Sequence, residues 1–153
     1  GLLLLRALTK SYAMAGLRLG YCLSDDRALL AAMAEEGPPW PVSQLAQQAG
    51  ISALQNAPDW PFRVHQQLEE ERRYLSQELS RLRFHVYPSD SNFLLFQGEE
   101  GWRERLLDRG ILIRSCADFQ GLCPGFYRVC VRSRGENKRL IQAIQQEREA
   151  FHG

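Results

Sequence analysis

Hydrophobic and polar positions alternate along this chain in a way that predicts several short strands and at least four helices. Residues 2–5 form an apolar run closed by the polar corner Thr9-Lys10-Ser11, which predicts a buried strand entering a loop. Between two glycines, residues 16–21 alternate and predict a second strand. Ser24, Asp25 and Asp26 open a helix with Leu29, Leu30 and Met33 on one stripe, and Gly37-Pro38-Pro39 stops it. Ser43 predicts the next N-cap, with Leu45, Ala49, Ala53 and Leu54 on the inner face and Asn56-Ala57-Pro58 at the close. Over residues 61–81 the apolar positions Val64, Leu68, Leu75 and Leu79 recur at helical spacing, continued by Leu82, while Glu69 and Arg73 form an exposed i,i+4 pair. Such a helix spans roughly 30 Å, enough to link two domains.

Beyond residue 82 the pattern becomes a small α/β unit. Residues 84–87, 92–96, 111–114 and 126–131 predict strands, and residues 102–108 predict a helix ended by Gly110. Ser133 and Glu136 have capping-box spacing ahead of a last helix carrying Leu140, Ile141 and Ile144, with residues 148–153 expected to fray. His85 alternates with Phe84 and Val86 and is expected to face outward. The tryptophans at helix ends are expected to be core residues.

Composition narrows the class. Hydrophobic residues make up 44% and charged residues 24% of 153 positions, a globular balance rather than a disordered one. The formal net charge of +1 gives no general attraction to nucleic acid or to an anionic membrane. No apolar stretch approaches the roughly 18 residues of a membrane helix, and no secretory leader is visible. Cys22, Cys116, Cys123 and Cys130 have neither C-x-x-C nor zinc spacing with the histidines, which leaves free thiols and a cytoplasmic setting as the expectation.

Chemistry concentrates in two places. Residues 6–21 put an amine, Lys10, on a strand exit and a guanidinium, Arg18, eight residues later, with small residues Ala13, Ala15 and Gly16 between. A deprotonated amine attacks aldehydes, and an arginine fork binds phosphate. The alternative for this pair is a solvated lysine and a surface arginine. Near the C-terminus, Tyr127, Val129 and Val131 point one way along their strand, so Arg128 and Arg132 share the other face. Arg114 ends an apolar run. If its strand neighbours that of Arg128, the two can converge on one anion; the alternative is that both face water. Arg132 reads as structural or as a surface charge.

The stretch Arg6-Ala7-Leu8-Thr9-Lys10-Ser11-Tyr12-Ala13-Met14-Ala15-Gly16-Leu17-Arg18-Leu19-Gly20-Tyr21 resembles the lysine signature of class I/II aminotransferase-like enzymes of fold type I. That resemblance implies pyridoxal 5'-phosphate as cofactor, carried on Lys10 as a Schiff base, with Arg18 and Thr9 at its phosphate. Ala7 departs from the pattern, since many members carry Ser or Thr there and gain a hydrogen bond of about 1 kcal/mol. Residues 39–43, 91–95, 111–117 and 127–133 extend the resemblance across nearly the whole chain. Within the family they look most like a branch that decarboxylates a phosphorylated amino acid, with aminotransferases of phosphorylated amino compounds second. A non-catalytic folding or interaction module is the third reading.

The resemblance further implies an α/β fold, with residues 1–57 the C-terminal part of a large cofactor-binding domain and residues 58–153 a small domain with a mostly antiparallel sheet. It implies that Arg114 and Arg128 bind the anions of a small phosphorylated amino-acid substrate, and that the enzyme is a homodimer. Tyr12 and Tyr21 are possible supporting hydroxyls, and Asn92 is a turn or packing residue. The family places its remaining cofactor contacts before the lysine, and the leucine run makes a poor N-terminus. The chain therefore reads as the C-terminal portion of a longer protein.

Overall fold

The computed structural model describes residues 1–152. The backbone divides into two compact units, Gly1–Val64 and a second from His65 onward, and each is α/β.

In the first unit, β1 (Leu4–Ala7) pairs antiparallel with β2 (Gly20–Leu23) as a two-stranded ribbon. Both strands begin later than the sequence pattern suggests, and Lys10 sits on a one-turn helix, α1 (Leu8–Ser11), where a loop was expected. Four residues are too few for helical periodicity to show. The apolar run is also exposed rather than buried, with Leu5 at 73%. A lone ribbon has no second layer to cover it.

Helix α2 (Arg27–Glu36) starts at Asp26, whose carboxylate accepts the Leu29 N–H at 2.9 Å. Helix α3 (Gln44–Asn56) starts at Ser43 as expected, with its hydroxyl accepting the Ala46 N–H at 3.2 Å. Its inner face differs from expectation: Ala46 and Gly50 are buried, whereas Leu45 and Leu54 are exposed. Small residues let the helix approach its neighbour closely. A Cβ on Gly50 would lie 2.4 Å from Leu19 Cδ2.

Helix α4 (Trp60–Arg81) starts in the first unit and continues into the second, where Leu75 and Leu79 are fully buried. The second unit holds a four-stranded antiparallel sheet in the order β3 (His85–Val86), β4 (Phe93–Gln97), β6 (Phe126–Cys130), β5 (Arg114–Ser115). Residues 111–113, expected as strand, precede β5 without joining the ladder. Phe84, Phe96, Trp102, Tyr127 and Ile144 form the core between the sheet and the helices α5 (Trp102–Asp108) and α6 (Arg134–His152).

Helix α5 ends in a Schellman arrangement. Gly110, at φ +72°, donates to the Leu107 carbonyl at 2.8 Å, and Ile111 donates to Leu106 at 2.8 Å. At the start of α6, Glu136 accepts from both the hydroxyl and the N–H of Ser133, at 2.7 and 3.3 Å. This helix does not fray at 148 but continues through His152. The Arg148 guanidinium lies 4.9 Å from the Phe84 ring centroid, which ties the last turns to the core.

Candidate functional site

Lys10 and Arg18 belong to one closed loop. Ala7 pairs with Gly20 at the end of the ribbon, and the Leu8 N–H donates to the Leu19 carbonyl at 3.1 Å. The chain therefore leaves and returns at the same point, with Lys10 three residues past β1 and Arg18 two residues before β2. Buried Leu8 anchors the loop beneath α3.

Two residues of this loop adopt a left-handed backbone that side chains disfavour: Ala13 at φ +55° and Arg18 at φ +54°. Each costs on the order of 1 kcal/mol or more, a strain that surrounding contacts must offset. Gly20 permits the close return, since a Cβ there would lie 2.7 Å from the Arg6 carbonyl oxygen. Lys10 is exposed and its side chain makes no ion pair or hydrogen bond among the described residues, although its carbonyl accepts the Ala13 N–H at 3.3 Å, and Thr9 is half-buried. Arg18 is exposed and spends one donor on the Ala15 carbonyl at 3.2 Å, leaving others of its fork for a ligand.

Contacts from distant sequence hold the loop. The Trp60 indole N–H donates to the Ser11 carbonyl at 2.8 Å, and the Tyr12 hydroxyl donates to the Ala57 carbonyl at 3.3 Å. Sequence reasoning assigned Trp60 to the core, yet it is 41% exposed and fastens the segment next to Lys10. Nothing in the local pattern signals this bond across 49 positions. Tyr12 thus has a supporting role, whereas Tyr21 is exposed on β2.

The second group lies on the sheet of the second unit. Its ladder sets Arg114 directly opposite Arg128. Cross-strand partners share a face, and like charges so placed repel unless an anion compensates. Asp118 pairs with Arg114, four residues along. Arg128 has no acidic partner among the described residues. Its guanidinium stacks 4.5 Å from the Phe93 ring centroid, and its Nε–H is buried without a hydrogen-bond partner. A buried donor left unmet costs roughly 1–3 kcal/mol. Phe93, Arg114, Arg128, Arg132 and Arg139 help line an open cavity of about 600 Å³. Cys116 is buried close by; burial pushes its thiol pKa up, against the opposing pull of Arg128 and Arg114.

The remaining singled-out residues are accounted for locally. Arg132 pairs with Glu136 at 2.6 Å, and Glu69 with Arg73 at 3.1 Å. The Asn92 carbonyl extends the ladder by accepting the Val131 N–H at 2.9 Å, and His85 is exposed with its ring edge on Tyr87. The four cysteines are free thiols. Among the described residues no cluster of acidic, His or Cys side chains could hold a metal, and no helix is long and apolar enough to cross a membrane.

The arrangement fits a ligand with an aldehyde and a phosphate at the first group and an anionic ligand at the second. Comparison with known proteins places the chain in a family. The model of the family "Aminotransferase class I and II" matches residues 1–144. A threonine-phosphate decarboxylase from Salmonella typhimurium is 43% identical over 92% of this chain and 40% of its own length. A histidinol-phosphate aminotransferase from Christiangramia forsetii is 32% identical over 95% of this chain and 42% of its own. The solved structure of the histidinol-phosphate aminotransferase from Clostridium acetobutylicum superposes with a TM-score of 0.87 at 26% identity, covering 97% of this chain and 46% of that one. The chain thus spans less than half the length of the proteins it matches.

Proposed function

Because the chain belongs to the aminotransferase class I and II family, whose enzymes work with pyridoxal 5'-phosphate, we propose that it supplies the lysine and the substrate arginines of a threonine-phosphate decarboxylase. The activity would be that of a polypeptide of the relatives' length, in which residues 1–57 belong to the cofactor-binding domain and residues 58–153 to the small one. The reaction releases carbon dioxide from L-threonine O-3-phosphate and leaves 1-aminopropan-2-ol O-2-phosphate, a building block for cobalamin. A cytoplasmic homodimer is the assembly we propose.

The cofactor, when bound, supplies an electron sink for the pair left on the substrate's α carbon when a bond to it breaks. In this reading Lys10 Nζ would hold the cofactor covalently, release it to the substrate amine, and hold the proton destined for the α carbon. Arg18 grips the cofactor phosphate through the donors it does not spend on Ala15, and Thr9 adds a hydroxyl. Arg114 and Arg128 hold the substrate's anionic groups. Which of the substrate's anions Arg114 and Arg128 hold would then select the reaction. Holding the side-chain phosphate would leave the carboxylate unanchored and free to depart as carbon dioxide.

The observation that carries this reading is the Arg114–Arg128 pair, in register on one face with an unmet buried donor on Arg128. The 43% identity to a decarboxylase favours loss of carbon dioxide over amino transfer. A histidinol-phosphate aminotransferase is the second reading, favoured by the structural match at a TM-score of 0.87. Incubation of the complete enzyme with O-phospho-L-threonine separates them. Carbon dioxide release without a keto-acid acceptor is expected; amino transfer to 2-oxoglutarate that forms glutamate, with no carbon dioxide, would overturn the first reading.

A further inference from the structure

Behind the arginine face lies a buried polar latch. Glu71 on α4 is 7% exposed and its two carboxylate oxygens share the single Arg134 Nε–H, at 2.8 and 3.1 Å, while one of them also accepts from Asn137 Nδ2 at 2.9 Å. Asn137, 2% exposed, also grips a single residue at both backbone groups: its Oδ1 accepts the Arg132 N–H at 3.1 Å and its Nδ2 donates to the Arg132 carbonyl at 2.8 Å. Arg134 stacks 4.2 Å from the Tyr74 ring centroid, which completes the tie to α4. Burying a carboxylate and an amide is costly unless every partner is in place. Here the expense goes to fixing the backbone of Arg132.

Its side chain lines the same cavity as Arg114 and Arg128. Arg132 also repeats the geometry of Arg114. Each pairs with an acid four residues along, Asp118 for Arg114 and Glu136 for Arg132. The Nε and Nη2 of Arg132 both address Glu136 Oε1, at 2.7 and 2.6 Å, so one edge of the guanidinium is oriented and the Nη1 edge is unspent. Four residues of extended chain separate Arg128 from Arg132, roughly 13 Å between their Cα atoms, a gap that two side chains leaning together can narrow to the span of one small molecule.

We propose that Arg132 is a third anion-binding residue of this cavity, held in place by Glu71 and Asn137, and that the ligand carries two separate anionic groups, as an amino acid bearing a phosphate ester does. The inference rests on the reading that Arg114 and Arg128 bind the substrate. Glu71 and Asn137 are positioning residues, which act through Arg132.

The test is steady-state kinetics of the complete enzyme with O-phospho-L-threonine, comparing Arg132→Gln, Arg132→Lys, Glu71→Gln and Arg128→Gln. Arg132→Gln is expected to raise KM about tenfold with kcat within about threefold, the lower range for a charge-assisted hydrogen bond. Arg132→Lys restores part of that loss by keeping the charge without the fork. Glu71→Gln raises KM by a smaller factor, and adding it to Arg132→Gln raises KM no further, because it acts through the same residue. Arg132 is exposed, so its variants report even if Glu71→Gln fails to fold. An unchanged KM in Arg132→Gln beside a raised KM in Arg128→Gln overturns this inference and leaves the substrate face intact. An unchanged KM in both overturns the reading it rests on as well.

Discussion

From His65 onward, Leu75, Leu79, Phe96, Leu106 and Ile144 are fully buried in one core, whereas the hydrophobic residues buried to a like degree in residues 1–64 are Leu8 and Ala46. The two units carry the two candidate groups, and they hold them by different means. Arg114 and Arg128 sit on a sheet whose register is enforced by a packed opposite face. The Lys10 loop depends on one buried leucine, a glycine-thin approach of α3, and hydrogen bonds from Trp60 and Tyr12. The arginine face is therefore the rigid partner, and the lysine loop is the element whose geometry a single lost contact disturbs.

The largest expected effect tests the rigid side. Phe96→Ala should cost roughly 3–5 kcal/mol of stability, since its ring is enclosed and meets Phe84 edge-on at 5.1 Å. Chemical denaturation of the complete enzyme checks this, and a loss under about 1 kcal/mol would break the contrast between the units. Leu8→Ala is expected to cost about 2 kcal/mol, the low end for a buried leucine, and to weaken cofactor binding as well. Titration with pyridoxal 5'-phosphate measures that second loss, which Phe96→Ala should not reproduce in molecules that remain folded.

Trp60→Phe sharpens the comparison. It keeps the ring and deletes the indole donor, at about 1 kcal/mol, and should raise the cofactor dissociation constant by a few-fold. An unchanged dissociation constant would remove Trp60 from the account of the loop. The smallest effect concerns Cys116. Its thiol pKa is raised by burial, so the native state holds that proton more tightly than the unfolded chain does. Any stability from this group is present below the unfolded thiol pKa and falls as pH rises toward the native one. Thiol labelling at mildly alkaline pH should modify exposed Cys123 and Cys130 well before Cys116.

What was legible in the sequence follows the same division. In the second unit, periodicity and cap residues located α5 at 102–108 and its Gly110 stop, and the apolar run ending at Arg114 pointed to a strand that could neighbour that of Arg128, as it does. Local pattern suffices where a large core enforces it. In the first unit the pattern misled. Leucines at 45 and 54 looked like an inner face, but the packing surface is Ala46 and Gly50, because close approach there requires absence of side chain rather than hydrophobicity. The one-turn helix under Lys10 was too short to show a period, and the Trp60 tether exists only once distant segments meet. Family membership was legible because the signature of residues 6–21 reflects chemical demand on individual side chains rather than local folding preference.

The most direct measurement is peptide mapping by mass spectrometry after the complete enzyme is loaded with pyridoxal 5'-phosphate and reduced with borohydride. The account predicts a stable phosphopyridoxyl group on Lys10 and none on the chain's other lysine, Lys138. It also predicts that Lys10→Ala loses the label, the cofactor's visible absorbance and turnover together. A label on Lys138 with Lys10 unmodified, or turnover that survives Lys10→Ala, would contradict it.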